Sequence, residues 1–311
     1  MRTVPEVVVV GQLARDLVLV VDEMPGPGSA ADVRERHEML GGKGANCAVG
    51  VTQLGATASL VAVAGDDTAA ELVLDRARLD GLDVSRVVRR PGTATGLVVD
   101  VLDREGRWRY LQDLGEPVLL TEADVDAAAT ELRAARVVVL QAQQPVPALL
   151  AAARHAHIGG ARILLDGVPG DDGRDALLGL VDMLRADPAE AEQLLGREID
   201  GPAAAVDAGR RLVDDGLGVA VLGVERDEPG NVAVWAGGEV FLPLEDPGPE
   251  GPVDTTGGGD ALTAGLAVTL LRDPSADPGA ALAVGVAAAA STVRHPGGRP
   301  ALSPDLLRTR P

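Results

Sequence analysis

Val137-Val138-Val139-Leu140, then Ala148 to His155, then Arg162-Ile163-Leu164-Leu165-Asp166 form the stretch that decides the fold. Two short unbroken apolar runs flank a helix-length Ala/Leu segment. Continuous rather than alternating apolar character marks strands covered on both faces. The alternation continues through a short helix after Asp166, a strand at Val181 to Leu184 and a helix at Glu190 to Leu195. Ala203 to Asp214 is the next helix and Val219 to Leu222 the next strand.

Upstream, Val7 to Val10 before Gly11 reads as another buried strand, and Ser59 to Val63 as one more. Helices are expected over Ala45 to Leu54 and Thr68 to Leu79, each followed by a glycine stop. Thr121-Glu122-Ala123-Asp124 resembles a capping box and predicts a helix to about Ala134. Downstream lie a hairpin, Val232 to Trp235 and Glu239 to Leu242 over Ala236-Gly237-Gly238, and two Ala-rich helices, Ala261 to Leu271 and Ala280 to Thr292. The fold class is therefore α/β, a doubly wound and mainly parallel sheet with helices on both faces. Segments 12–40 and 95–116 break the alternation and carry only strand signals: Val18 to Asp22, Val33 to Met39, Thr95 to Leu102 and Arg107 to Leu111. They predict a small β-sheet standing off the body. No biased linker, charge block or repeat divides residues 1–311, which read as one domain.

Acidic residues number 47 against 28 basic ones, for a net charge of −19. That field argues against nucleic acid or an anionic membrane as partner. All the basic residues are Arg except Lys43. The only aromatics are Trp108, Tyr110, Trp235 and Phe241, so the core must be Val, Leu and Ala. A single cysteine, Cys47, excludes an internal disulfide and reads as a small buried filler. The apolar run after Met1-Arg2-Thr3-Val4-Pro5-Glu6 is too short for a secretory segment, and Ala280 to Ala290 is short of the roughly 20 residues of a membrane span. A cytoplasmic protein is expected.

Two loops carry chemistry. Asp254-Thr255-Thr256-Gly257-Gly258-Gly259-Asp260 runs into an apolar helix. Three glycines at a helix start leave N–H groups open to close approach, and the macrodipole adds partial positive charge, so the loop suits a phosphate. Asp260, in the first turn, is within reach of whatever is held there and can take a proton from an attacking hydroxyl. Gly41-Gly42-Lys43-Gly44-Ala45-Asn46 precedes a second helix and holds the only Lys. It has neither the Walker nor the GxGxxG spacing. Its ammonium and amide offer donors for polyhydroxyl recognition.

These two motifs resemble the signatures of the ribokinase (PfkB) family of sugar kinases, and the resemblance extends along the whole chain. Gly11 to Asp16 is similar to the family's first substrate loop, and Asp187-Pro188-Ala189-Glu190 to its Asn-x-x-Glu segment. The resemblance implies an ATP-dependent kinase acting on a primary hydroxyl of a ribose-like sugar. Asp260 would be the general base, and Gly257, Gly258 and Gly259 the anion hole. Asp16, Gly42, Lys43, Asn46 and Gln143 would bind the sugar, and Asp187 and Gly223 would lie at the nucleotide. Glu190 would help hold Mg²⁺. Asp254 and Thr256, with backbone of Thr292 and Gly297, would form a monovalent-cation (K⁺) site. The small sheet would be a lid that also pairs two subunits into a homodimer. Ala14 stands where ribokinase members carry Asn, Gln143 where they carry Glu, and Asp187 where they carry Asn. Alternatives are a nucleoside kinase, a keto-deoxy-sugar acid kinase, or a catalytically weak sugar-binding sensor.

Overall fold

The structure is a computed structural model that describes residues 5–246, 248 and 253–308. Met1 to Val4, part of the N-terminal stretch read above, lie outside the described residues. The chain starts with β1 (Val7–Val10), then β2 (Ala14–Val21) and β3 (Val33–Gly41). Next come α1 (Lys43–Gln53), β4 (Ala58–Gly65), α2 (Thr68–Leu79), β5 (Asp83–Arg90), β6 (Leu97–Leu102) and β7 (Trp108–Asp113). The middle holds α3 (Glu122–Asp126), α4 (Ala129–Ala134), β8 (Val137–Gln141), α5 (Val146–Gly159), β9 (Arg162–Asp166) and α6 (Arg174–Leu178). The last part holds β10 (Met183–Ala186), α7 (Pro188–Leu195), α8 (Gly201–Asp214), β11 (Val219–Val224), β12 (Gly230–Trp235), β13 (Gly238–Pro243), α9 (Gly258–Arg272) and α10 (Pro278–Thr292).

Nine strands form one sheet in the order β13-β12-β11-β10-β9-β8-β1-β4-β5. Every pairing from β5 to β11 is parallel, and β12 and β13 add an antiparallel edge. The reason is visible in β1. Val7 and Val9 pack on one face with Leu262 and Leu266 of α9, whereas Val8 and Val10 pack on the other with Leu132 and Leu149 of α4 and α5. A strand apolar on both faces must be covered on both. Each such side chain contributes on the order of 1.5–3 kcal/mol of burial free energy. The four strands β3-β2-β6-β7 form a second, smaller sheet from the two segments expected to be β-only. Its central β2–β6 pairing is parallel, and its outer pairings are antiparallel.

Three expectations need correction. The strand expected at Val181 begins two residues later, at Met183, because Val181 closes a turn onto Leu178 and the Asp182 carboxylate accepts from Ile163 N and Arg162. The helix expected to run from 122 to 134 is two short helices, α3 and α4, separated at Ala127 and Ala128. Strand β5 has no counterpart in the sequence reading. It is an edge strand whose Arg86, Arg89 and Arg90 pair with Glu131, Glu71 and Asp124, so charge hides its Val84-Val87-Val88 pattern. Among the described residues no helix is long and apolar enough to cross a membrane.

Candidate active site

Strand carboxyl ends and three helix starts converge on one place. Helix α1 begins at Gly42, whose φ is +90°, and its first residue is Lys43. Helix α9 begins at Gly257, with φ +74°. A Cβ on Gly257 would overlap the Gly298 carbonyl, so this turn requires glycine twice over. Helix α7 opens with a capping box: Asp187 Oδ1 accepts from Glu190 N at 2.8 Å, and Glu190 Oε2 accepts from Asp187 N at 3.0 Å. Gly223, in β11, lies against Pro188 at the start of that helix.

Asp260 is buried in the first turn of α9, and Asn46 Nδ2 donates to its Oδ2 at 3.0 Å. Burial pushes its carboxyl up to about 7, against the pull of Lys43 and Asn46 and with a further push from Asp166. Asp16, buried on β2, is likewise raised to about 7 by burial and by the charges of Asp260 and Asp100. A Cβ on Gly41 would overlap the Asp16 carboxyl group, which explains why that position is glycine. Burial alone would lower the Lys43 ammonium, but Asp166, Asp260 and Glu190 hold it above its ordinary value. Glu190 Oε1 faces both Lys43 Nζ at 3.6 Å and Gln143 Nε2 at 3.5 Å. The expected residues Asp16, Lys43, Asn46, Gln143, Glu190 and Asp260 thus share one electrostatic neighbourhood.

A second knot lies beside it. The buried Asp254 accepts from Thr256 N at 2.9 Å and from Gly297 N at 2.7 Å. Val293, next to the buried Thr292, accepts at its carbonyl from Asp254 N and Val253 N, so the two loops are sewn together. From the small sheet, Tyr110 Oη hydrogen-bonds Thr256 Oγ1.

Sequence reasoning missed three charged groups here. Asp100, in the middle of the apolar strand β6, is 3% exposed, and neither carboxylate oxygen has a hydrogen-bond partner. Burial and the neighbouring Asp254 push it up to about 7. Asp166 ends β9 and Arg185 is the penultimate residue of the adjacent β10, in register with each other and with Gln141 of β8. Asp166 Oδ2 accepts from Gln141 at 3.1 Å, and its Oδ1 accepts from Arg185 Nη1 at 3.0 Å. The signal was a polar residue closing each apolar run: Leu140-Gln141, Leu165-Asp166 and Leu184-Arg185.

One expectation outside the site also has an outcome. Cys47 is fully buried, as a filler should be, and burial raises its thiol well above the ordinary value. Arg104 and Arg107 of the small sheet are exposed and paired with Asp22 and Asp103.

A glycine-marked helix start beside a buried carboxylate, at the strand ends of an α/β sheet, suits an enzyme that handles a phosphorylated small molecule. The chain belongs to the pfkB family of carbohydrate kinases, whose model matches residues 4–305. It is 26% identical over 294 residues to a ribokinase of Haemophilus influenzae, covering 93% of this chain and 92% of that one. It is 26% identical over 276 residues to a bifunctional ribokinase/ribose-5-phosphate isomerase A of Fructilactobacillus sanfranciscensis, covering 87% of this chain but only 49% of that protein. The fold is shared with an Arabidopsis thaliana ribokinase solved with ribose and ATP, at a TM-score of 0.80, 22% identity and 98% coverage of each chain.

Proposed function

We propose that the protein transfers the γ-phosphoryl group of ATP to a primary hydroxyl of a ribose-like sugar, with Asp260 as general base. The observation that carries this is the buried Asp260 carboxylate, oriented by Asn46 in the first turn after Gly257-Gly258-Gly259. The acceptor hydroxyl loses its proton to Asp260 as its oxygen bonds to Pγ. The bond from Pγ to the β,γ-bridging oxygen breaks, and ADP leaves with that electron pair. The helix-start N–H groups stabilise charge on the transferring group. Asp16, Gly42, Lys43, Asn46 and Gln143 hold the sugar, with Lys43 and Gln143 reaching it from the Glu190 side of the site. Asp187 and Gly223 border the nucleotide.

The donor set suits two cations. Asp187 and Glu190 are hard oxygen donors, each with one oxygen committed to the capping box, which suits contact with Mg²⁺ through water. Mg²⁺ would neutralise phosphate charge as it builds up. Asp254 is a buried carboxyl with the buried Asp100 carboxyl beside it, which suits a monovalent cation such as K⁺ held with the Thr256, Thr292 and Gly297 backbone. That charge would steady the loop carrying the anion hole.

Trp108 stacks on Tyr110 with ring centroids 4.4 Å apart, and Tyr110 is tied to Thr256. Tyr110 is thereby engaged, while Trp108 keeps 45% of its surface exposed. The small sheet is the lid of this reading. Its outward residues Leu17, Val99 and Leu111 are register neighbours, and Leu111 is exposed, which suits a second copy of the chain. Sugar-dependent ADP formation, with Asp260→Asn as control, tests the proposal.

A further inference from the structure

The guanidinium of Arg185 is the group that the proposed chemistry leaves unused. It is 8% exposed at the carboxyl end of β10. Asp166 holds Nη1, and the buried Nε has no hydrogen-bond partner. Its terminal nitrogens crowd Gly259 of the helix start: a Cβ there would fall 2.8 Å from Nη2, 2.9 Å from Nη1 and 3.1 Å from Cζ. A planar fork whose terminal nitrogens reach a glycine of a helix start, with one of them anchored by a carboxylate, has the geometry of a phosphate clamp. The local charge calls for one. Asp187, Glu190 and Asp166 all act on this guanidinium and hold it above its ordinary value against the cost of burial. Two of these acids, Asp187 and Glu190, border the proposed nucleotide site, where negative charge repels phosphate.

We propose that Arg185, positioned by Asp166, closes one side of the glycine anion hole and binds the γ-phosphoryl group of the nucleotide. This rests on the reading of Gly257-Gly258-Gly259 as the phosphoryl site. It goes beyond that reading by adding a side-chain cation that offsets the acids around it. A group that touches only the γ-phosphoryl must distinguish a nucleoside triphosphate from a diphosphate, which a purely structural ion pair does not do.

The test is calorimetric titration of wild type, Arg185→Met and Arg185→Lys with Mg²⁺ and either ADP or the non-hydrolysable triphosphate AMP-PNP, without sugar. Losing a charge-assisted contact predicts that Arg185→Met weakens AMP-PNP binding about ten- to a hundredfold, with ADP binding within about twofold of wild type. Arg185→Lys keeps the charge without the fork and is expected to fall between the two. It carries the same comparison if the Met variant does not fold. Equal losses for both nucleotides, or no loss for AMP-PNP, would overturn the proposal. Because no sugar is present, a wild type that binds both nucleotides but phosphorylates no sugar would defeat the proposed function and leave this inference standing.

Discussion

Asp16, Asp100 and Asp260 titrate near neutrality for one physical reason: burial is the first cause of each shift, and mutual repulsion or a neighbouring acid adds to it. Their folded values of about 7 lie above the model value of 3.8, so the native state binds more protons than the unfolded chain between those limits. The stability they contribute is full below 3.8 and is lost as pH rises through about 7. Acids held below their ordinary value, such as Asp67 and Asp124, act only at lower pH, where their contribution falls away. The ligand-free protein should therefore melt at a lower temperature at pH 8 than at pH 5.5, and Asp100→Asn should flatten that slope. A melting temperature that rises over the same interval in scanning calorimetry would contradict the assignment. Asp260 was legible in the sequence because it follows the glycine triplet, and Asp16 because Gly11 to Asp16 resembles a substrate loop. Asp100 was not, since one acid in Leu97-Val98-Val99-Asp100-Val101-Leu102 reads as the solvent side of a strand until the sheet turns it inward.

Among the elements, α9 carries the most function per residue. Its start is fixed by Gly257, where a side chain meets both the left-handed backbone region and the Gly298 carbonyl. Gly257→Ala should cost about 1–3 kcal/mol from backbone conformation alone, with a larger loss in kcat than in sugar KM because the anion hole acts on the transition state. Thermal unfolding and steady-state kinetics on the same preparation check this; an unchanged kcat would refute it. The glycine triplet announced this helix, and the apolar runs announced β1, β8 and β9 to within a residue. Strand β5 escaped because an edge strand needs only half its residues to be apolar. Arg185 and Asp166 escaped for a related reason. Their meaning depends on three strands lying in register, and that register is set by tertiary packing.

For the molecule as a whole, the net charge of −19 and the proposed binding of ATP pull in opposite directions. Local devices would offset the acids at the strand ends: the helix starts, Lys43 and, by the inference above, Arg185. The small sheet covers that place with one face and turns Leu17, Val99 and Leu111 outward on the other. If that face joins two copies, sedimentation should find a dimer of 31.7 kDa chains, and Leu111→Glu should shift it to monomer. A monomeric wild type would remove the pairing and leave the active-site account intact.

In the proposed reaction, Asp260 deprotonates a sugar hydroxyl for attack on a phosphoryl group held by Gly257-Gly258-Gly259. The most direct measurement is ADP formation by wild type and Asp260→Asn with Mg²⁺ and K⁺, across pentoses, hexoses and nucleosides. Turnover should depend on a ribose-like sugar and fall by about a hundredfold or more in the variant, as expected for loss of a general base. Turnover with no sugar above the Asp260→Asn level would contradict it.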